Sequence, residues 1–424
     1  MKLSTLALLT SLCAAAQVGA ADGQQGAVRV VGHQSGATFA ACDCGEVVCG
    51  CEEVLAPACG CEGMVEGGCD GACGGCASGC DLGDPFRLIG EHGNWSAGGW
   101  IQMGYHNNDI PLFNQHKHNF NLHQAWLYAE KAIDTSCGFD IGGRIDYVYG
   151  VDAQDTQAFG TNPRGWDNDW DNGIYGHALP QVYLEAGYGD LAIKAGHFYT
   201  LIGYESVMAP NNFFYSHAYT MYLSEPFTHT GALATYQLND RVTLYGGYTL
   251  GWDSGFDDNG DNFIGGITTA VTDRWNLTYA TVGGRFGEAR FNGVEKGYMH
   301  SVVSTHQLTE KLQYVFQSDV LSTEDGDGAT VRDTFGINQY LLYALNDCWS
   351  VGGRFEWYEQ QGVFNAPTDP RTDIYATTVG LNYRPHANVL IRPELRYDHD
   401  EEGVAGLDHG TSQTTFGFDT ILTF

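Results

Sequence analysis

Charged residues recur with an even spacing in three aromatic-rich stretches of this chain, Asp140, Arg144 and Asp146; Arg354 and Glu356; and Arg392, Glu394, Arg396 and Asp398; a fourth such stretch carries Lys194 alone. On an extended strand an even spacing places every member of a set on one face. Acids and bases interleaved on such a face form ion pairs, or line a watery passage whose charges sort solutes by sign. Glu205 and Glu225 flank a long stretch without strand character and are the better candidates for setting a field where a passage narrows. Nothing directs these groups to catalysis, because no His-Glu-x-x-His, phosphate loop, nucleophile elbow or dinucleotide fingerprint occurs. Asp257 to Asn262 has the composition of a calcium loop, yet Asn262 and Thr268 stand where Gly and Glu are required. His106, His116, His118 and His123 gather near one loop without a ligand spacing. No metal or cofactor is expected.

Cysteines are the second chemical signal. Ten of 13 lie in a Gly-rich stretch with little apolar surface: Cys42, Cys44, Cys49, Cys51, Cys59, Cys61, Cys69, Cys73, Cys76 and Cys80. In an exported chain disulfides are the default reading, with thiolate binding of a soft metal as the alternative. Cys137 and Cys348 stand beside short turns on the side expected to carry this tail, so a tail-to-barrel cross-link is open to either. They belong to strands on opposite walls, too far apart to bond each other.

The elements that position these groups follow from the pattern. Residues 1–20 read as a secretory signal peptide, with Lys2, an apolar run and Val18-Gly19-Ala20 for cleavage. Residues 21–93 form a Cys/Gly-rich periplasmic tail, expected to be irregular, and 94–424 the third unit. In that unit aromatic segments alternate with a period of two between Gly/Asn/Asp clusters. Tyr375, Thr377, Val379, Leu381 and Tyr383 point one way, and Val389, Ile391, Leu395 and Tyr397 alternate with the charges of 392–398. Sixteen segments, from 94–105 through 411–424, are long enough to cross a membrane as tilted strands. Short turns at Asp134-Thr135, Gly189, Asn239-Asp240, Thr272-Asp273, Thr309-Glu310, Asn346-Asp347 and Pro385-His386 alternate with long loops. Regular alternation of turn and loop is what a closed antiparallel transmembrane β-barrel requires, and a soluble sandwich does not. The fold class is all-β, a closed barrel of about 16 strands.

The run Ile193-Lys194-Ala195-Gly196-His197-Phe198-Tyr199-Thr200, then Gly203, Glu205, Asn211, Tyr215-Ser216, Pro226 and Gly231, resembles the OmpL-like β-barrel porin family over residues 94–424. The resemblance implies an outer-membrane channel whose third long loop, 201–225, folds inward. Phe424 with Leu422, Phe418 and Phe416 looks like the terminal signal read by outer-membrane assembly machinery, and similar porins are commonly trimers. The tail departs from the family pattern.

With 20 basic and 51 acidic residues the net charge is −31, which excludes nucleic acid as a partner. Residues 94–424 carry 17 basic and 40 acidic residues, so a weak cation preference is expected. Acid clusters such as Asp167/Asp169/Asp171 and Asp253/Asp257/Asp258/Asp261 read as solvated loop tips. The leading expectation is a passive, non-enzymatic diffusion channel for small hydrophilic solutes or ions, set in outer-membrane lipid. A structural envelope protein cross-linked through its tail, and a surface-binding barrel with a plugged lumen, are the alternatives.

Overall fold

The computed structural model describes residues 80–110, 113–158, 166–256, 260–287, 295–362, 370–407 and 410–424. Sixteen antiparallel strands form the barrel: β1 (Trp95–His106), β2 (Phe120–Lys131), β3 (Asp140–Gly150), β4 (Tyr175–Tyr188), β5 (Leu191–Tyr199), β6 (Thr228–Asn239), β7 (Val242–Thr249) and β8 (Asp261–Thr272) make its first half. The second half is β9 (Trp275–Gly287), β10 (Glu295–Gln307), β11 (Leu312–Glu324), β12 (Thr330–Ala344), β13 (Trp349–Gln361), β14 (Thr372–His386), β15 (Val389–Asp400) and β16 (Ser412–Thr423). Each strand pairs with its sequence neighbours. β16 closes on β1 from Gly417↔His106 to Thr423↔Trp100, so no edge is left to face lipid unpaired. All sixteen expected segments are present, with ends moved by a few residues.

The period-two pattern decides which side chains meet lipid. Leu341, Phe355, Val379, Leu395, Tyr397 and Phe416 are exposed on the outer face, while Tyr340, Arg354, Thr378, Leu390, Arg396 and Thr415 on the same strands are buried within. Hydrocarbon accepts the first set at no desolvation cost. A charge placed among them costs about 2–4 kcal/mol near the bilayer midplane.

The inner wall is less uniformly polar than the alternation suggested. Leu233, Ile264, Ala280, Val282, Met299 and Leu321 point inward from β6 to β11 and are buried together with Phe198, Ile202, Trp252 and Phe286. Loop residues Ile202 and Trp252 cover this patch, so the barrel is filled there by chain.

Several loop acids expected to be solvated are buried staples. Asp167 accepts from the Ala158 and Leu179 amides at 2.9 and 2.8 Å. Asp253 accepts from Phe227 and Thr228 at 2.6 and 3.0 Å. A loop that folds back must satisfy its backbone amides, and a carboxylate does this with charge-assisted bonds.

Candidate functional site

The segment between β5 and β6, residues 200–227 and called L3 below, runs into the lumen. Its sequence requires cover: Val207, Ala209, Phe214, Tyr215, Ala218, Tyr219, Met221, Leu223 and Phe227 are all buried. At roughly 25 cal/mol per Å² of apolar surface, a loop of this composition is strongly driven out of water. Pro210 lies in a single turn of 3₁₀ helix, Ala209–Asn211, and the Thr220–Ser224 turn is the only other regular piece of L3. Most of its backbone groups therefore seek partners elsewhere.

The lumen charges supply them. Glu394 accepts from the Tyr215 and Ser216 amides at 2.9 and 3.1 Å. Glu356 accepts from the Tyr219 and Thr220 amides at 2.8 and 2.7 Å and from Thr220 Oγ1 at 2.7 Å. Arg392 donates to the Ala209 and Asn212 carbonyls at 3.0 and 2.7 Å, Arg354 to the Ser216 carbonyl at 2.7 Å, and Arg396 to that of His217. Alternating acids and bases on β13 and β15 thus hold the backbone of L3, which the sequence could not reveal.

Each of these arginines also has a carboxylate. Arg354 meets Glu205 at 2.6 Å, Arg392 meets Asp419 at 2.5 Å and Arg396 meets Asp398 at 2.8 Å. On the opposite wall Arg144 is paired with Glu130 at 2.9 Å and Asp146 at 2.6 Å. Lys194 stands over the Tyr183 ring, 4.7 Å from its centre. Asp140 is paired with Lys131 at the short-turn rim, away from L3.

Glu205 and Glu225 are both buried in L3, and their carboxyl groups are pushed in opposite directions. Burial raises the Glu205 carboxyl, but the Arg354 guanidinium and His217 outweigh it and hold the group well below its usual range. Burial, reinforced by the neighbouring Asp319 carboxyl, raises Glu225 well above it. Gln317 Nε2 reaches both acids, at 2.5 Å to Glu225 and 2.8 Å to Asp319. Of the four clustered histidines, His106 and His123 meet on the Tyr215 hydroxyl, at 3.3 and 2.6 Å, which ties the tip of L3 to β1 and β2.

Inward glycines make room for L3, a signal the sequence offered and that went unread. A Cβ on Gly104 would lie 2.6 Å from the Tyr215 hydroxyl, one on Gly336 would lie 2.4 Å from Thr220 Oγ1, and one on Gly352 would lie 2.5 Å from the Phe213 ring. Glycine at an inward position of an otherwise regular strand marks where another segment presses against the wall.

At the short-turn rim Cys80 and Cys348 form a disulfide with a Cα separation of 5.7 Å. Cys137 is exposed, without a disulfide partner among the described residues, so the proposed bond does not extend to it there. Cys42, Cys44, Cys49, Cys51, Cys59, Cys61, Cys69, Cys73 and Cys76 lie outside the described residues, as does Asp257-Asp258-Asn259. Among the described residues no group of three or more His, Cys, Asp or Glu is placed to hold a metal ion.

A sixteen-strand barrel with an inward third loop is the architecture of outer-membrane porins, and the sequence model described as "Putative beta-barrel porin-2, OmpL-like" matches residues 94–424. The chain belongs to this porin family. This OmpL-like porin is similar in fold to several solved outer-membrane proteins. The anion-selective porin from Comamonas acidovorans superposes with a TM-score of 0.57 at 9% identity, covering 78% of this chain and 99% of that one. OmpT of Vibrio cholerae, folded in vitro, gives 0.53 at 11% identity, with 78% and 97% covered. The outer membrane channel DcaP of Acinetobacter baumannii gives 0.52 at 8% identity, again with 78% and 97%. At these identities the likeness is one of fold. No curated protein matches the chain in sequence. The OmpL-like porin is an outer-membrane protein.

Proposed function

We propose that this porin is a passive, non-catalytic channel for small hydrophilic solutes or ions with a weak preference for cations, inserted by the outer-membrane assembly machinery after signal-peptide export and assembled as a homotrimer. The observation that supports the reading is L3, folded into the lumen and fixed there by wall charges, because a loop so placed narrows a passage through the barrel. The sign of selectivity follows from pairing. Arg144, Arg354, Arg392 and Arg396 are each neutralised by a carboxylate, whereas residues 94–424 hold an excess of acids over bases. Fields add, so the uncompensated acids raise cation concentration at the mouth. The trimer is supported by OmpT, which has also been solved in a trimer form.

Reversal potentials across a KCl gradient test the selectivity. A shift toward the potassium equilibrium potential is expected, and a shift toward that of chloride rejects the cation preference.

A second reading, a surface-binding barrel with a plugged lumen, is favoured by one observation. Ile110 of the first long loop and Ala405 and Leu407 of the last are buried against Tyr219 and Leu223 of L3, which covers the extracellular side of the loop with apolar side chains. Absence of conductance from correctly folded, lipid-inserted protein would favour this reading over the channel.

A further inference from the structure

The inner wall opposite the anchors of L3 holds two charges that the protein leaves unmatched. Glu185 of β4 and Lys194 of β5 are direct cross-strand partners, and both point inward, because Leu184 and Ile193 beside them are exposed on the outer face. Each stands three residues from the short turn that joins the two strands, and each is half-buried, so the pair is open to the lumen near the short-turn mouth. Side chains so placed have Cβ atoms about 4.5–5.5 Å apart and can bond each other. They do not. Lys194 turns over the Tyr183 ring, 4.7 Å from its centre, with the Phe198 ring at 5.9 Å, and among the described residues no carboxylate lies within ion-pair distance of it. Glu185 accepts no hydrogen bond among the described residues either.

The neighbouring charges are already matched. Arg144 donates Nη1 to Glu130 at 2.9 Å and Nε and Nη2 to Asp146 at 2.6 and 3.0 Å, and Lys131 is closed on Asp140. On the other side β6 places Leu233 opposite Lys194 and carries no Lys, Arg, Asp or Glu. An ammonium brings three donors and a carboxylate two acceptor oxygens, so a solute that completes both must carry both complementary charges close together. A simple anion gains Lys194 but meets Glu185 and Glu130, and a simple cation gains Glu185 but meets Lys194 and Arg144. A zwitterion is favoured on both sides.

We propose that Glu185 and Lys194 form a lumen subsite for free α-amino acids, with the solute carboxylate at Lys194 and its ammonium at Glu185. The inference rests on the channel reading above and names a solute class for it. Solvated charge pairs are weak, each contributing up to about fivefold in affinity, so the subsite enriches its solute without trapping it, as conduction requires.

The test reconstitutes the full-length protein in liposomes and measures initial uptake of radiolabelled L-serine against erythritol, an uncharged solute of similar size, in the same vesicles. The serine-to-erythritol ratio is expected to fall as serine concentration rises, because the subsite saturates, and to be lower at high salt, which screens the pair. Glu185→Gln and Lys194→Met, each first shown to insert as a heat-modifiable barrel, should lower the ratio at low serine by up to about fivefold. The double exchange, Glu185→Lys with Lys194→Glu, keeps both charges in reversed order and should restore most of it. A wild-type ratio that is independent of serine concentration, or a ratio unmoved in both single variants, overturns the proposal and leaves the channel. Uptake of neither solute by protein of verified insertion overturns the channel reading itself.

Discussion

Glu205 Oε1 of L3 accepts from Arg354 Nη1 of β13 at 2.6 Å across 149 residues of sequence, with both side chains buried. The same guanidinium donates to the Ser216 carbonyl, so one arginine ties both limbs of L3 to the wall. Arg354→Ala leaves a buried carboxylate without its counter-ion, and removing one partner of such a pair costs about 3–5 kcal/mol. Docking of L3 is expected to weaken by that order. Replacing both partners, Glu205→Leu with Arg354→Leu, should recover most of it. Chymotrypsin cleavage at Phe213, Phe214 and Tyr215 in folded protein measures the difference. Equal protection of the single variant and the wild type would show that the pair does not hold the loop.

The two L3 acids predict opposite responses to pH. Glu205 is depressed when L3 is docked, so its contribution is present above its ordinary value of about 4.5 and is lost as pH falls below it. Glu225 is raised, so its contribution is complete below that value and declines as pH rises toward its elevated one. Hydrogen exchange, corrected for the intrinsic rate, should show residues 203–218 loosening in acid and residues 219–227 loosening in alkali. A single response shared by both limbs would contradict this assignment.

Room for L3 is as specific as its bonds. Gly336→Val places new atoms where Thr220 Oγ1 lies 2.4 Å from the position of a Cβ, whereas Gly246 has nothing within 4 Å of that position. Gly336→Val should displace L3 and raise single-channel conductance, and Gly246→Val should leave it unchanged. Both should insert as barrels, with heat-modifiable mobility on gels as the check. Equal conductance in the two variants would mean that L3 does not limit flow.

Much of the fold was legible because a strand in lipid obeys one rule at every position. Val379, Leu395 and Tyr397 must face outward, and one such residue fixes the phase of its whole strand. The lumen set of β13 and β15 was readable for the same reason. What Arg354, Glu356 and Glu394 hold was not, because their partners are backbone groups of L3, and backbone leaves no mark on a sequence. The apolar inner patch of Ile264, Val282 and Met299 was also missed. Alternation tells which residues point inward, and only packing tells that Ile202 and Trp252 arrive to cover them. Gly104, Gly336 and Gly352 were visible, and their inward phase is the clue that would have located L3.

Lys194 tests where solutes pass. It faces the lumen from β5, over the Tyr183 ring and away from the arginines bound to L3. If the passage follows the β3–β5 wall, Lys194→Glu should move the reversal potential further toward that of potassium. No movement would place the passage elsewhere in the lumen.

The most direct measurement is single-channel conductance of the purified full-length protein beside Arg354→Ala, in the same bilayers and the same salt. Discrete steps are expected from the wild type and larger ones from the variant, whose loop has lost its anchor. Silence from both proteins after verified insertion, or steps of the same size, would contradict a passage set by L3.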